Sequence, residues 1–287
     1  MYNVKVLEKF DMCNDQMFKA VFRSIEARSI VISFLSKVTG IKESILKNAT
    51  FNGGEIVKSN INEKKKESDI IITITDDRKL IIEMNRSLSS NMFEKNSQYA
   101  FSIINELTSS SKRYQQVILI NIDNFNKFKT KEAILTFKIR DEYGHIENML
   151  YTSIHLILDN IVNLEYNKIN KEIYDFCCLL KTTTLEEIKE LVKRREDYMA
   201  AFRKVEDLST NPEFIGYYDV EEAHKQDIED AKEYGIEQGI EKGIQQGIEK
   251  EKIEIAKSLL TTEMKIEEIS KHTGLSLEEL EEIKNEK

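Results

Sequence analysis

Two carboxylates, Asp69 and Glu83, lie near the two ends of the stretch Ser68 to Arg86, SDIIITITDDRKLIIEMNR. Between them are two apolar, β-branched runs, Ile70 to Thr75 and Leu80 to Ile82, separated by the polar residues Asp76-Asp77-Arg78-Lys79. That pattern predicts a β-hairpin with a short turn. In an antiparallel pair folded about such a turn, the entry of the first strand and the exit of the second lie at the same open end, so Asp69 and Glu83 come close enough to share a ligand. Adjacent carboxylates repel. Two arrangements relieve that repulsion: solvation at the strand ends, or a divalent cation between them, Mg²⁺ being suited to one or two carboxylates plus water and phosphate oxygens. The spacing alone leaves both open.

The elements around the hairpin must position it. Phe18, Val21, Phe22, Ile25, Ile30, Phe34 and Leu35 recur at helical spacing, which predicts a helix from about Asn14 to Thr39 with an interruption near Ala27-Arg28-Ser29 and Asn14 as its cap. Ser44 to Lys58 reads as a short helical turn, a break at Gly53-Gly54, and then a strand able to join the hairpin. Asn91 to Thr108 reads as an amphipathic helix across the sheet, and Val117 to Ile122 as a buried strand. The runs between Ala133 and Leu158 read as a further hairpin. His145 and His155 have no partners at metal-ligand spacing, so each is expected to be a surface or satisfied histidine.

At 287 residues, 40% of them hydrophobic, the chain can bury one substantial core plus a smaller appendage. Charges interrupt the N-terminal MYNVKVLEKFD, unlike a signal peptide, and no apolar run approaches the ~18 residues of a membrane span. No membrane partner and a cytoplasmic location are expected. Cys13, Cys177 and Cys178 suit free thiols better than a disulfide framework or a zinc site. The net charge of −9 is unevenly spread: residues 1–130 hold 20 Lys+Arg against 15 Asp+Glu, the remainder 22 against 36. Lys64, Lys65 and Lys66 precede Asp69, and Arg78, Lys79, Arg86, Lys112 and Arg113 follow it. This basic excess offers phosphate contacts; the triple lysine reads equally as a solvated loop.

From Ile169 to Leu208 the pattern is helical, with Thr184 to Glu187 resembling a capping box. Pro212, with Ser209-Thr210-Asn211 and Gly216 beside it, reads as a loop and a domain boundary. The expected organisation is therefore residues 1–165 as the α/β domain, 166–210 as a helical extension, and 211–287 as an acidic helical tail. In that tail, Gly-Ile-x-x recurs from Gly235, Gly239, Gly243 and Gly247. Each interior glycine costs about 1 kcal/mol relative to Ala, so either a partner helix in a homodimer or higher oligomer, or a loosely ordered spacer, accounts for the repeat. The segments around Thr273-Gly274 have a helix-turn-helix outline, but Ser276 onward carries too many carboxylates for a DNA groove and reads as protein-facing.

A carboxylate, a hairpin and a Glu-x-x end resemble the core of the PD-(D/E)XK nucleases, in particular their recombination-promoting nuclease, putative transposase, branch. Asp15-Gln16-Met17-Phe18-Lys19-Ala20-Val21-Phe22 resembles that branch's opening helix, and the helix, strand and glycine-repeat tail follow in its order. The resemblance implies a PD-(D/E)XK (restriction-endonuclease-like) mixed sheet flanked by helices, followed by a helical C-terminal region, and Mg²⁺- or Mn²⁺-dependent hydrolysis of DNA phosphodiesters linked to recombination or mobile elements. It implies that Asp69 and Glu83 hold the metal with the Met84 carbonyl, and that Asn85 orients water or a phosphate oxygen. Asp15 would approach the metal, or else only favour the helix dipole. Lys19, Lys64, Lys65, Lys66 and Arg86 would meet phosphates, and Gln98 would face the metal centre while Tyr99 joins the core. Two departures stand out: Asn85 replaces the usual Lys or Gln, and Lys95-Asn96 stands where an Arg is common. Unlike Lys, the Asn85 amide carries no charge to stabilise the charge developing on phosphate, so a catalytically weakened or inactive module binding nucleic acid or protein is the alternative.

Overall fold

The computed structural model describes residues 6–52, 69–75, 78–89, 91–111, 116–262 and 264–285. The chain opens with α1 (Asp15–Phe22) and α2 (Arg28–Thr39). Asn14 caps α1 by accepting the Met17 N–H, and α2 ends at Gly40, whose φ of 74° suits a residue without a Cβ. Then come α3 (Glu43–Leu46), β1 (Thr50–Asn52), β2 (Ile70–Thr75), β3 (Arg78–Asn85), α4 (Met92–Ser111), β4 (Gln116–Asp123), β5 (Ile134–Lys138), β6 (Tyr151–Ile157) and α5 (Leu158–Val162). The helices α6 (Lys171–Leu180), α7 (Leu185–Arg194), α8 (Met199–Thr210), α9 (Pro212–Leu259), α10 (Ile266–Thr273) and α11 (Leu277–Asn285) complete it.

The described strands form one mixed sheet in the order β1-β2-β3-β4-β6-β5. β2 and β3 are the expected hairpin; its turn, Asp76-Asp77, lies outside the described residues. The third hairpin member is β1, before Gly53-Gly54; the strand expected after that break also lies outside them. β3, β4 and β6 run parallel, and β5 folds back antiparallel on β6.

Because side chains alternate along a strand, each face of the sheet collects its own apolar set. Ile70, Ile72, Leu80, Ile82, Ile118, Ile120 and Ile122 share a core with α1, α2 and α6 to α8, while Ile71, Ile81, Val117 and Leu119 pack on Tyr99, Ala100 and Ile103 of α4. The expected α/β fold, a mixed sheet flanked by helices with helices following, is the one observed. The first core does not stop at residue 165. Phe176 of α6 stacks on Phe34 of α2 with ring centres 4.0 Å apart, and Ile215 and Tyr218 of α9 are buried in the same cluster. Pro212 is the first residue of α9 and not part of a loop: its fixed φ and missing N–H suit that position.

The chain divides into two compact units, residues 1–222 and 223–287. In the second, Ala256, Ile269, Leu275 and Leu280 form a small core. The four-residue glycine repeat there is continuous helix, and Ile236, Ile240, Ile244 and Ile248 are exposed on it.

Candidate active site

Everything at the site begins with the register of the hairpin. Ile70 pairs with Ile82, so Asp69, one residue before β2, stands beside Glu83. The Met84 N–H donates to Asp69 Oδ2 at 2.6 Å, and Arg23 Nε donates to the Asp69 carbonyl at 2.6 Å. Asp69 is thereby fixed through its side chain by the Met84 backbone and through its own carbonyl by the Arg23 side chain, and it is almost wholly buried. Glu83 is half-buried, and alternation puts it on the same face as Ile81 and Asn85.

The first helix supplies a second carboxylate and a cation. Phe18, Val21 and Phe22 turn inward, which leaves Asp15 and Lys19, one helical turn apart, on the side facing Asp69. Lys19 Nζ is 2.7 Å from Asp15 Oδ1 and 3.3 Å from Asp69 Oδ1. Burial pushes the Asp69 carboxyl up to about 7; the Lys19 ammonium pulls it down, Asp15 raises it further, and the Met84 N–H lowers it. Burial also opposes the Lys19 charge, but Asp69 and Asp15 outweigh it and hold that ammonium above its ordinary range. The two rises have different origins: burial raises Asp69, whereas the two carboxylates that share the ammonium raise Lys19. A cleft of about 340 Å³, lined by Asp15, Gln16, Lys19, Ala20, Arg23 and Phe214, opens beside this trio.

Among the described residues no three His, Cys, Asp or Glu side chains gather as a metal-ligand set. The donors that do adjoin are carboxylate and carbonyl oxygens, with no thiol or imidazole. Such a hard set of one or two carboxylates fits Mg²⁺ or Mn²⁺ with water completing the shell. The ammonium between Asp15 and Asp69 already stands in for a cation.

Asn85, two residues beyond Glu83 on the same face, is engaged in a buried polar network at the C-terminal ends of the parallel strands. Its Nδ2 donates to Asp123 Oδ1 at 2.7 Å and to Asn121 Oδ1 at 3.3 Å, and its Oδ1 accepts from Asn96 Nδ2 at 3.2 Å. Asn96 Nδ2 also reaches Asn121 Oδ1 at 3.0 Å. Both ends of the Asn85 amide are thus taken up by protein. Asn121 Nδ2 faces Ser153 Oγ at 3.1 Å, and His155 Nδ1 donates to Asp123 Oδ2 at 2.8 Å. The rings of Phe93, Phe128 and Phe137 pack edge-on around the His155 imidazole. His155 is the satisfied histidine expected; His145 is exposed and paired with Asp141.

The other expected site residues are dispersed. Gln98 is exposed, and the α4 side chain that reaches the sheet's polar end is Asn96. Arg86 is enclosed by carboxylates: Nε is 2.7 Å from Asp11 Oδ2 and its terminal nitrogens are 2.6 Å from Glu222 and 3.9 Å from Glu221. Lys64, Lys65 and Lys66 lie outside the described residues. Sequence reasoning did not find Asn96, Asn121, Asp123, Ser153 and His155 as one group. Their signal is polar residues two apart within apolar runs, Asn121 and Asp123 in VILINID and Ser153 and His155 in YTSIHLI. Nor did it find Glu221, which accepts the Asp15 and Gln16 N–H groups at 2.8 and 3.1 Å and so caps the helix that carries Lys19.

No curated protein and no solved structure matches the chain. The family model described as PD-(D/E)XK nuclease family transposase matches residues 12–235. That span takes in the Asp15–Lys19 helix, Asp69 with the Glu83-Met84-Asn85 strand end, and the Glu221 that caps α1, and the chain belongs to the PD-(D/E)XK nuclease family transposases.

Proposed function

We propose that this chain is a metal-dependent DNA endonuclease that hydrolyses phosphodiesters, using Mg²⁺ or Mn²⁺, in recombination or the movement of mobile elements. Family membership carries the coarser statement, a nuclease or transposase-related role with DNA as substrate. The observation that carries the finer reading is the convergence of Asp15, Lys19 and Asp69 beside Glu83 at the open end of the hairpin. Asp69 and Glu83, with the Met84 carbonyl, are the residues that would hold the metal. A bound divalent ion supplies Lewis acidity at the phosphate and lowers the pKa of a water. Asp69 would be oriented for that task by the Met84 N–H, and Asp15 would share the charge from the helix side. Lys19, with Lys64, Lys65 and Lys66, would meet backbone phosphates. Asn85 would act as a positioning residue through its ties to Asp123 and Asn96, Gln98 from the exposed side of α4, and Arg86 by holding the chain that follows the strand. Free thiols and the absence, among the described residues, of any helix long and apolar enough to cross a membrane are in keeping with a cytoplasmic protein. Self-association through the glycine-repeat helix would bring two such sites to opposite strands.

The second reading, a nuclease fold that binds nucleic acid or protein without cutting, is favoured by the buried, fully engaged amide at position 85 where an ammonium would aid the reaction. Nicking of supercoiled plasmid with Mg²⁺ or Mn²⁺ separates the two. Asp69→Asn and Glu83→Gln each remove a ligand charge and are expected to lower nicking by at least about 10²-fold. Unchanged nicking in both variants would remove this site from consideration, and no nicking by the wild-type protein would favour the binding module.

A further inference from the structure

The position of the Lys19 ammonium raises a question of occupancy, because it lies where a cation shared by Asp15 and Asp69 would sit. Its nitrogen is 2.7 and 2.8 Å from the two Asp15 oxygens and 3.3 Å from Asp69 Oδ1. A Mg²⁺ ion approaches carboxylate oxygens to about 2.0–2.1 Å and draws an octahedral shell around itself. An ammonium held by the same oxygens both fills that shell and repels the ion, so the two cannot share the pair. The ammonium has somewhere to go. Lys19 lines the cleft of about 340 Å³ with Gln16, Ala20, Arg23 and Phe214, and its flexible four-carbon stem allows the charge to turn outward while the helix stays in place.

Arg23 also lines the cleft, with its Nε donating to the Asp69 carbonyl. Asn85 brings no cation to the site: its amide donates to Asp123 and Asn121 in the sheet and accepts from Asn96. Lys19 is a charged side chain touching the same Asp69 carboxylate that the metal would use. We propose that Lys19 is the resident cation of the Asp15–Asp69 pair, that a divalent metal displaces its ammonium on binding, and that the displaced ammonium contacts the substrate phosphate in the cleft. The inference rests on the metal-dependent reading above and deepens it: the metal-free protein is held together by its own cation, and loading the site frees that cation for phosphate.

The test is calorimetric titration of the full-length protein with Mn²⁺, a measurement that needs no cleavage. Removing an internal competitor should tighten metal binding, so Lys19→Met is expected to bind Mn²⁺ about tenfold more tightly than wild type, a coupling of ordinary size. Lys19→Arg, which keeps the charge, should stay within about threefold of wild type on the same scale. Lys19→Gln carries the same expectation as Lys19→Met should the latter fail to fold. With Ca²⁺ present, duplex DNA binding by Lys19→Met should lose about one phosphate contact, seen as a shallower dependence of affinity on salt by about one unit of slope. Mn²⁺ binding that Asp69→Asn abolishes but Lys19→Met leaves unchanged or weaker would overturn the inference while sparing the metal site. Absence of Mn²⁺ binding in every form would overturn both.

Discussion

A carboxyl buried against a second carboxylate makes the metal-free protein sensitive to pH in a defined direction. Burial raises Asp69 to about 7 from an ordinary value near 3.8, so between those limits the folded state holds a proton that the unfolded state has released. Stability from this group is therefore fully present below about pH 4, falls as pH rises, and reaches its lowest plateau above about pH 7. With divalent ions chelated, thermal melts of wild type should show this decline, and Asp69→Asn, which has no proton to lose, should flatten it; parallel pH profiles for the two proteins would contradict the assignment. Metal ligation requires the ionised carboxylate. Affinity for Mn²⁺ should accordingly climb as pH rises towards 7 and level off above it, with a proton released on binding at pH 6.

At the scale of elements, the ends of β3, β4 and β6 form a second polar centre that packing against α4 closes from water. Asp123 accepts from both Asn85 Nδ2 and His155 Nδ1, so Asp123→Ala strands two buried donors. A loss of about 2–4 kcal/mol in a denaturant or thermal melt is expected, at about 1–3 kcal/mol for each unpaired group. The same carboxylate bears on any attempt to install an ammonium at position 85. In Asn85→Lys the charge has Asp123 Oδ1 within reach, so cleavage should not rise; in Asn85→Lys/Asp123→Asn the trap is gone, and cleavage should exceed that of the single variant. A single Asn85→Lys that already cuts faster would show that the new ammonium escapes Asp123. Much of this architecture was readable from sequence. Two apolar, β-branched runs around a polar break marked the hairpin, a continuous apolar run marked β4, and Asn14 announced the start of α1. Other parts gave no usable local signal: β1 is three residues long, too short for a period to show. The choice of Gln98 over Asn96 was a matter of helix phase. Tyr99, Ala100 and Ile103 define the inward side of α4, and counting back one turn from them leads to Asn96 and leaves Gln98 outside.

Over the whole chain, the decisive connection joins residues 136 to 208 positions apart, which no local pattern encodes. Glu221 accepts the first N–H groups of α1, and Glu222 binds Arg86 and the Asn14 side chain. In the sequence these two glutamates look like the start of an acidic, solvated tail; in the fold they brace the helix that carries Asp15 and Lys19. This reading makes the truncation point matter. A chain ending at residue 210 loses Ile215 and Tyr218 from the core along with both glutamates. Burial of those two side chains alone is worth roughly 3–5 kcal/mol, and the α1 cap about 1 kcal/mol more. Such a chain should unfold well below the wild-type melting temperature and bind Mn²⁺ weakly. A chain ending at residue 234 keeps every one of these contacts and drops the glycine repeat. It should retain Mn²⁺ affinity, give a lower oligomeric state than the full chain in light scattering, and bind DNA equally or better at low salt, since an acidic segment that repels phosphate is gone. If the 234-residue chain keeps the full-length oligomeric state, the glycine helix is not the association surface. If the 210-residue chain melts with wild type, Glu221 and Glu222 do not brace the site.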